Sequence, residues 1–162
     1  MTQTTSLNAA EPPPTEPRGP AIWPLVIADI RERFSYADPL IEDATERDRI
    51  GTEKYGVPLH ANNGRNPLVD AYQESLDLMV YLRQAIEDGV GGHTVRSEYE
   101  LALSLAKRLR YLLMSMQERE RDGLIADAIN MAPHGADPDA VRLEAIATVD
   151  RYLARRSARQ PG

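Results

Sequence analysis

The sequence predicts an all-α protein, a bundle of four or five helices, and three observations carry that expectation. Apolar residues recur at spacings of three and four over long stretches, the period of a helix that buries one stripe. Aromatics make up only 6% of the 162 residues, whereas Ala, Leu, Arg and Glu are plentiful, a composition that favours helices over sheets. No β-branched run alternates with polar residues, and the Asn63-Gly64 pair joins two helical patterns rather than two strands.

The elements follow in order. Residues 1 to about 20, with Glu11-Pro12-Pro13-Pro14-Thr15-Glu16-Pro17, read as a disordered tail, and residues 21–158 as a single helical domain. Trp23, Leu25, Val26, Ile30 and Phe34 suggest a short first helix burying one face, with Trp23 as a core anchor. Asp38-Pro39 reads as an N-cap followed by proline at the first helical position, and that helix should run to about Lys54 and stop near Gly56. Asn66-Pro67 repeats the start signal for a third helix, whose Leu68, Ala71, Tyr72, Leu76, Met79, Leu82 and Ile86 keep helical period until Gly89, Gly91 and Gly92 end it. Ser97 with Glu100 has the form of a capping box and opens a fourth helix through Leu101, Leu105, Leu109, Leu112 and Met116, with a break expected near Gly123 and a resumption from Leu124 to Met131. Asp137-Pro138 starts a last helix carrying Val141, Leu143, Ile146, Val149 and Leu153.

Composition removes several functions. The chain has no cysteine, so disulfides, thiolate catalysis and Cys-based zinc sites are excluded. His60, His93 and His134 sit in loop-like surroundings without ligand spacing, and solvated side chains are expected there. A net charge of −6 argues against a dedicated nucleic-acid binder. Arg151, Arg155, Arg156 and Arg159 form one basic stretch, which reads as a solvated helix end suited to the negative dipole terminus. No apolar run approaches membrane-spanning length, and no secretory signal is recognisable at the N-terminus, so a cytoplasmic protein is expected.

Acidic residues at helical spacing carry the chemistry. Asp70, Glu74 and Asp77 stand at i, i+4 and i+7 on the third helix, one stripe flanked by apolar residues, which places them near the bundle interior. On the second helix Asp43 and Glu46 are three apart, and Glu42 and Glu46 four apart. Two such patches facing each other would make an oxygen-rich cage suited to Mg²⁺ or Mn²⁺. The alternative is a solvated acidic face paired with Arg47, Arg49 and Lys54. Between the helices Lys54 and Arg65 supply positive charge, Asn62, Asn63 and Asn66 supply neutral donors, and the third helix offers free N–H groups at its start. Phosphate recognition uses such groups.

These residues resemble the MazG-like nucleoside triphosphate pyrophosphohydrolases, a family within the all-α NTP pyrophosphatases, over about residues 38 to 88. Glu74-Ser75-Leu76-Asp77 matches the second half of that family's Glu-x-x-Glu, spacer, Glu-x-x-Asp metal motif. Lys54-Tyr55-Gly56, Asn63-Gly64-Arg65 and Asp70-Ala71-Tyr72-Gln73-Glu74 resemble the small phage-type members, some of which prune the guanine nucleotide pool. The first half of the motif departs: Asp43-x-x-Glu46 stands where the family has Glu-x-x-Glu, with 27 residues before Glu74. The resemblance implies conversion of an NTP or dNTP to the monophosphate and pyrophosphate with Mg²⁺ or Mn²⁺. Metal would be held by Asp43, Glu46, Glu74 and Asp77, with Glu46, Glu74 and Asp77 central to catalysis. Asp70 would act through water or as a first-turn acid. Lys54 and Arg65 would meet phosphate, and Asn63 and Asn66 phosphate or sugar. Arg47 is a further phosphate candidate or the partner of Asp43, and Tyr55 and Tyr72 could line a base pocket. A homodimer or homotetramer is expected, since apolar residues occupy more than one side of the fourth helix. Two competing readings are a non-enzymatic helical interaction protein, and the same fold acting on dUTP or a phosphoribosyl-nucleotide.

Overall fold

The computed structural model describes residues 19–159 other than His134, and the side chains of Ala158 and Arg159 are not part of the description. The expected tail up to residue 18 therefore lies outside the described residues. The protein is all-α, with five helices: α1 (Ile22–Arg33), α2 (Asp38–Tyr55), α3 (Pro67–Glu87), α4 (Gly92–Asn130) and α5 (Pro138–Arg159). Among the described residues there is no strand, only an isolated antiparallel bridge between Ala21 and His60. No described helix is long and apolar enough to cross a membrane.

Local chemistry sets most of the helix ends. Asn66 caps α3, its side-chain oxygen accepting from the backbone N–H of Leu68 at 3.1 Å and of Val69 at 3.4 Å. Asp137 plays the matching part at α5, accepting from Asp139 N–H at 3.1 Å. α3 ends in a Schellman arrangement. Val90 N–H donates to Ala85 O, Gly89 N–H donates to Ile86 O, and Gly89 takes the positive φ of 71° that this closure requires.

Four expectations need correction. Asp38 is the first residue of α2 rather than its cap, a position held by Ala37 with no side-chain capping bond. Phe34 lies just beyond α1 and is exposed, and no described residue of α1 is fully buried. The Ser97–Glu100 capping box does not form. Gly91 in the left-handed region lets α4 begin at once from the α3 turn, and Ser97, already inside the helix, turns its hydroxyl back to His93 O. Nor does α4 break at Gly123. A lone mid-helix glycine costs only about 1 kcal/mol, and this stretch is packed by α5, with Arg121 bound to Asp150 and Arg156 to Glu120 across the pair. Arg156 of the basic stretch is therefore an ion-pair partner of α4 rather than a purely solvated charge.

The described chain divides into two compact units, one holding α1, α2 and the loop to Arg65, the other running from Asn66 through α3, α4 and α5. In the first, α1 packs on α2, and the segment before α1 is tied to the loop after α2. Ile22 N–H donates to Leu59 O at 2.8 Å and Ala61 N–H to Pro20 O at 3.0 Å. His60 is half-buried there, its Nδ1 2.9 Å from Gly19 O, so it is held in structure rather than solvated. His93 is exposed as expected, and His134 lies outside the described residues. In the second unit α4 is the common element, packed by α3 and by α5. The buried residues are mostly small: Ala102 and Ala106 of α4, Val69 and Ser75 of α3 and Ala145 and Val149 of α5, with Leu113 of α4 as the one large side chain among them.

Candidate functional site

The acidic residues fall into two pairs, one per unit, each three residues apart on its own helix. On α2, Ala44 is the buried position, and Glu42, Asp43 and Glu46 are exposed. Spacing alone leaves Glu46 open to several arginines, and the structure assigns it to Arg49. Its two carboxylate oxygens accept from Nη2 at 2.6 Å and Nε at 2.7 Å, a bidentate fork, while Nη1 of the same guanidinium bonds Glu53. The hydrogen bond from Arg49 holds the Glu46 carboxyl below its ordinary value, and the two carboxylates push the Arg49 guanidinium up. The expected pairing of Arg47 with Asp43 is not made among the described residues. Arg49 pairs with Glu46 and Glu53, and Asp43 has no ion-pair partner among the described residues.

On α3 the two carboxylates have a different setting. Glu74 and Asp77 are exposed, contrary to the interior placement that the flanking apolar stripe suggests. The reason lies in the helix phase. Ser75 is the buried residue between them, and the side chains before and two beyond it turn outward. Neither enters an ion pair among the described residues, whereas Arg83 of the same helix pairs with Glu87. Asp70, one turn earlier, is half-buried and has an interaction partner.

The loop residues divide between chemistry and architecture. Asn63 accepts from Arg65 N–H at 3.1 Å, an Asx turn, and Asn66 is spent on capping α3, so both side-chain oxygens serve the backbone. Asn62 adopts a positive φ of 55°. Arg65 is half-buried and engaged. At the end of α2, Lys54 places its ammonium 4.9 Å from the centre of the Tyr55 ring, a cation–π contact at an exposed site. Tyr72 is half-buried on α3.

Among the described residues no group of three or more His, Asp or Glu side chains is gathered in a way that could hold a metal ion. What the chain offers is pairs of hard carboxylate oxygens, donors of the type Mg²⁺ and Mn²⁺ prefer. The α3 pair fits that demand directly. On α2 Asp43 fits it, while Glu46 is held by Arg49. The sequence offers Arg49 beside Arg47 and Lys54 as a partner for the α2 acids, and Glu46-x-x-Arg49-x-x-x-Glu53 is the i, i+3 and i, i+4 ladder that forms. No family model matches the chain, and no curated protein and no solved structure matches it.

Proposed function

We propose that this protein is a metal-dependent nucleoside triphosphate pyrophosphohydrolase, releasing pyrophosphate from an NTP or dNTP and leaving the monophosphate. The single observation that carries the reading is the α3 pair: two exposed carboxylates three residues apart, without an arginine or lysine to neutralise them among the described residues, on a helix whose start is capped by Asn66. Adjacent carboxylates repel, and a divalent cation is the economical counter-charge. Glu74 and Asp77 hold the ion in this reading, with Asp70 as an orienting acid, and the family resemblance alone adds Asp43 and Glu46 as further ligands. Bound Mg²⁺ or Mn²⁺ supplies neutralisation of phosphate charge and a more acidic water. Lys54 and Arg65 meet the phosphates as cations, and Tyr55 offers a ring face to the base. Asn63 and Asn66 contribute through the loop they shape, because their side chains already serve the backbone. A homodimer or homotetramer belongs to the same proposal, and a guanine preference rests on the phage-type resemblance alone.

The test is pyrophosphate release from a panel of NTPs and dNTPs in Mg²⁺ and in Mn²⁺, beside Glu74→Gln. Release that the variant loses supports the reading. Release from one substrate only, such as dUTP, narrows the chemistry and keeps the site. No release from any nucleotide in either metal sinks it. The Arg49 fork on Glu46 favours the second reading, a helical interaction protein whose acids are a solvated face. That reading predicts no nucleotide hydrolysis and no stabilisation by divalent metal.

A further inference from the structure

Among the described residues, Arg110 alone keeps a buried side-chain nitrogen without a partner. Its Nη1 is shielded from solvent, and no nitrogen of its guanidinium enters a hydrogen bond or ion pair among the described residues. The position is an unusual one for a charge. Arg110 follows Ala106 by four residues and precedes Leu113 by three, and both of those are buried, so it stands on the packed stripe of α4. Leaving a charged donor unmade in such a place costs more than leaving a neutral one. An orphaned interior donor calls for an acceptor that the polypeptide itself does not supply.

The surroundings say where that acceptor sits and what it is. α3 and α5 both pack on α4 and not on each other. Counting back from the tight turn after α3 with equal rise in the two helices puts Pro67 level with about Leu112. The Arg121–Asp150 and Arg156–Glu120 pairs bring the end of α5 to between about Leu112 and Gln117. Cover of α4 therefore passes from α3 to α5 beside Arg110. No acid occurs on α4 between Glu100 and Glu118, whereas Lys107, Arg108 and Arg110 do. Lys107 is three residues before Arg110, on the same side of the helix, exposed and without an ion-pair partner among the described residues. Asp70, the α3 carboxylate nearest in level, stands on the Glu74–Asp77 stripe and is engaged elsewhere. Water would satisfy a hydrogen bond and leave the two charges unanswered. An oxyanion satisfies both, and a dianion matches a guanidinium and an ammonium together. Arg110 as a whole is half-buried, so part of its guanidinium stays open, and rotation about its long stem can turn Nη1 to a ligand there.

We propose that Arg110 and Lys107 form a phosphoryl-binding site on α4, at the level where α3 gives way to α5, for inorganic phosphate or a small phosphate monoester. NMR titration of the full chain tests it, in chelator and at constant ionic strength, so that no divalent metal links phosphate to the α3 carboxylates. The probes are inorganic phosphate, phenyl phosphate and, as a monoanion, acetate. Phosphate should give saturable shifts of the Arg110 side-chain N–H and of the backbone amides from Lys107 to Met114. Arg110→Met should weaken binding at least about tenfold, and Lys107→Gln about threefold. Without phosphate, Arg110→Met should melt at or above the wild-type temperature, because it keeps the apolar stem and removes an unanswered donor. Tighter binding of phenyl phosphate assigns the site to a phosphorylated small molecule, and equal or tighter binding of inorganic phosphate assigns it to the free ion. Either supports the proposal. Shifts that do not saturate, that centre away from Lys107–Met114, or that persist at full strength in Arg110→Met overturn it. Acetate binding as tightly as phosphate overturns the phosphoryl assignment. A loss of fold in Arg110→Met overturns it too, since the guanidinium would then already be bonded within the protein. Pyrophosphate release plays no part in this readout, so the site and the catalytic reading stand or fall separately.

Discussion

The acidic faces of α2 and α3 look alike in sequence and differ in what surrounds them. Both carry carboxylates three apart on an exposed face. On α2 an arginine sits one turn beyond Glu46 and another acid one turn beyond that, so Glu46, Arg49 and Glu53 close into a ladder that needs nothing from outside. On α3 the next arginine, Arg83, lies too far along the helix for either Glu74 or Asp77 and pairs with Glu87 instead. The same residue types therefore serve two ends. A neutralised ladder is surface architecture, worth little to stability, whereas the α3 pair keeps its carboxylate oxygens unengaged by any ion pair among the described residues. The α3 pair is thus the better ion-binding candidate of the two, and on α2 Asp43 is without an ion-pair partner among the described residues while Glu46 is held by Arg49.

The largest expected effect follows from that ranking. Glu74→Gln keeps size and hydrogen bonding while removing the charge, and should lower pyrophosphate release at least about a hundredfold. Glu46→Gln should cost less, because its charge is already shared with Arg49. Equal losses from the two variants, measured as kcat/KM in Mg²⁺, would break the comparison and make Arg49 an incidental neighbour. A smaller effect is expected where α2 ends. Lys54→Ala should raise KM about tenfold with Tm nearly unchanged, because an exposed ammonium over the Tyr55 ring adds little to folding. A collapse of Tm would mean that Lys54 is structural.

Much of the fold was legible because its signals are local. Asn66 and Asp137 cap the helices they precede, and Gly89 closes α3 with the positive φ that glycine accepts without cost. The misreadings have local causes too. Ser97 and Glu100 stand in capping-box spacing, yet the same spacing occurs inside any helix. Gly91 and Gly92 decided the start of α4 by making a tight turn feasible. Gly123 was a plausible break by propensity, and the packing of α5 outweighed it. At the site, spacing gave the two pairs and their shared faces. It could not tell that Ser75 would be buried with Glu74 and Asp77 outward, because the covered edge of a helix is chosen by its neighbours. Arg49 was within reach of sequence, one of three cations considered, but choosing it over Arg47 needed the side-chain geometry.

Arg49 allows the comparison to be altered without touching a carboxylate. Arg49→Met keeps the stem and removes the fork, leaving Glu46 as unpaired as Glu74. If the α2 acids belong to a metal centre, the variant should need about two- to fivefold less Mg²⁺ for half-maximal release, the scale of an exposed ion pair. It should also leave the helix content unchanged. An increased Mg²⁺ requirement would mean instead that Arg49 orients Glu46 for the ion, turning the ladder from a competitor into a support.

The smallest effect is a titration, and it tests the fork itself. Arg49 donates two hydrogen bonds to Glu46 and lowers its carboxyl pKa in the folded chain. A depressed folded pKa means that the pair contributes above the ordinary glutamate value and is lost as pH falls through the depressed one. Its window therefore lies on the acid side of the usual carboxylate range, well away from neutral pH. Both partners are exposed, so added salt should shrink the depression. Carboxyl-detected NMR should find Glu46 titrating below an ordinary glutamate at low ionic strength, and at the ordinary value in Arg49→Met. A wild-type Glu46 already at the ordinary value would mean that solvent outcompetes the fork. Glu46 would then be as available as Glu74, and the asymmetry between α2 and α3 would vanish.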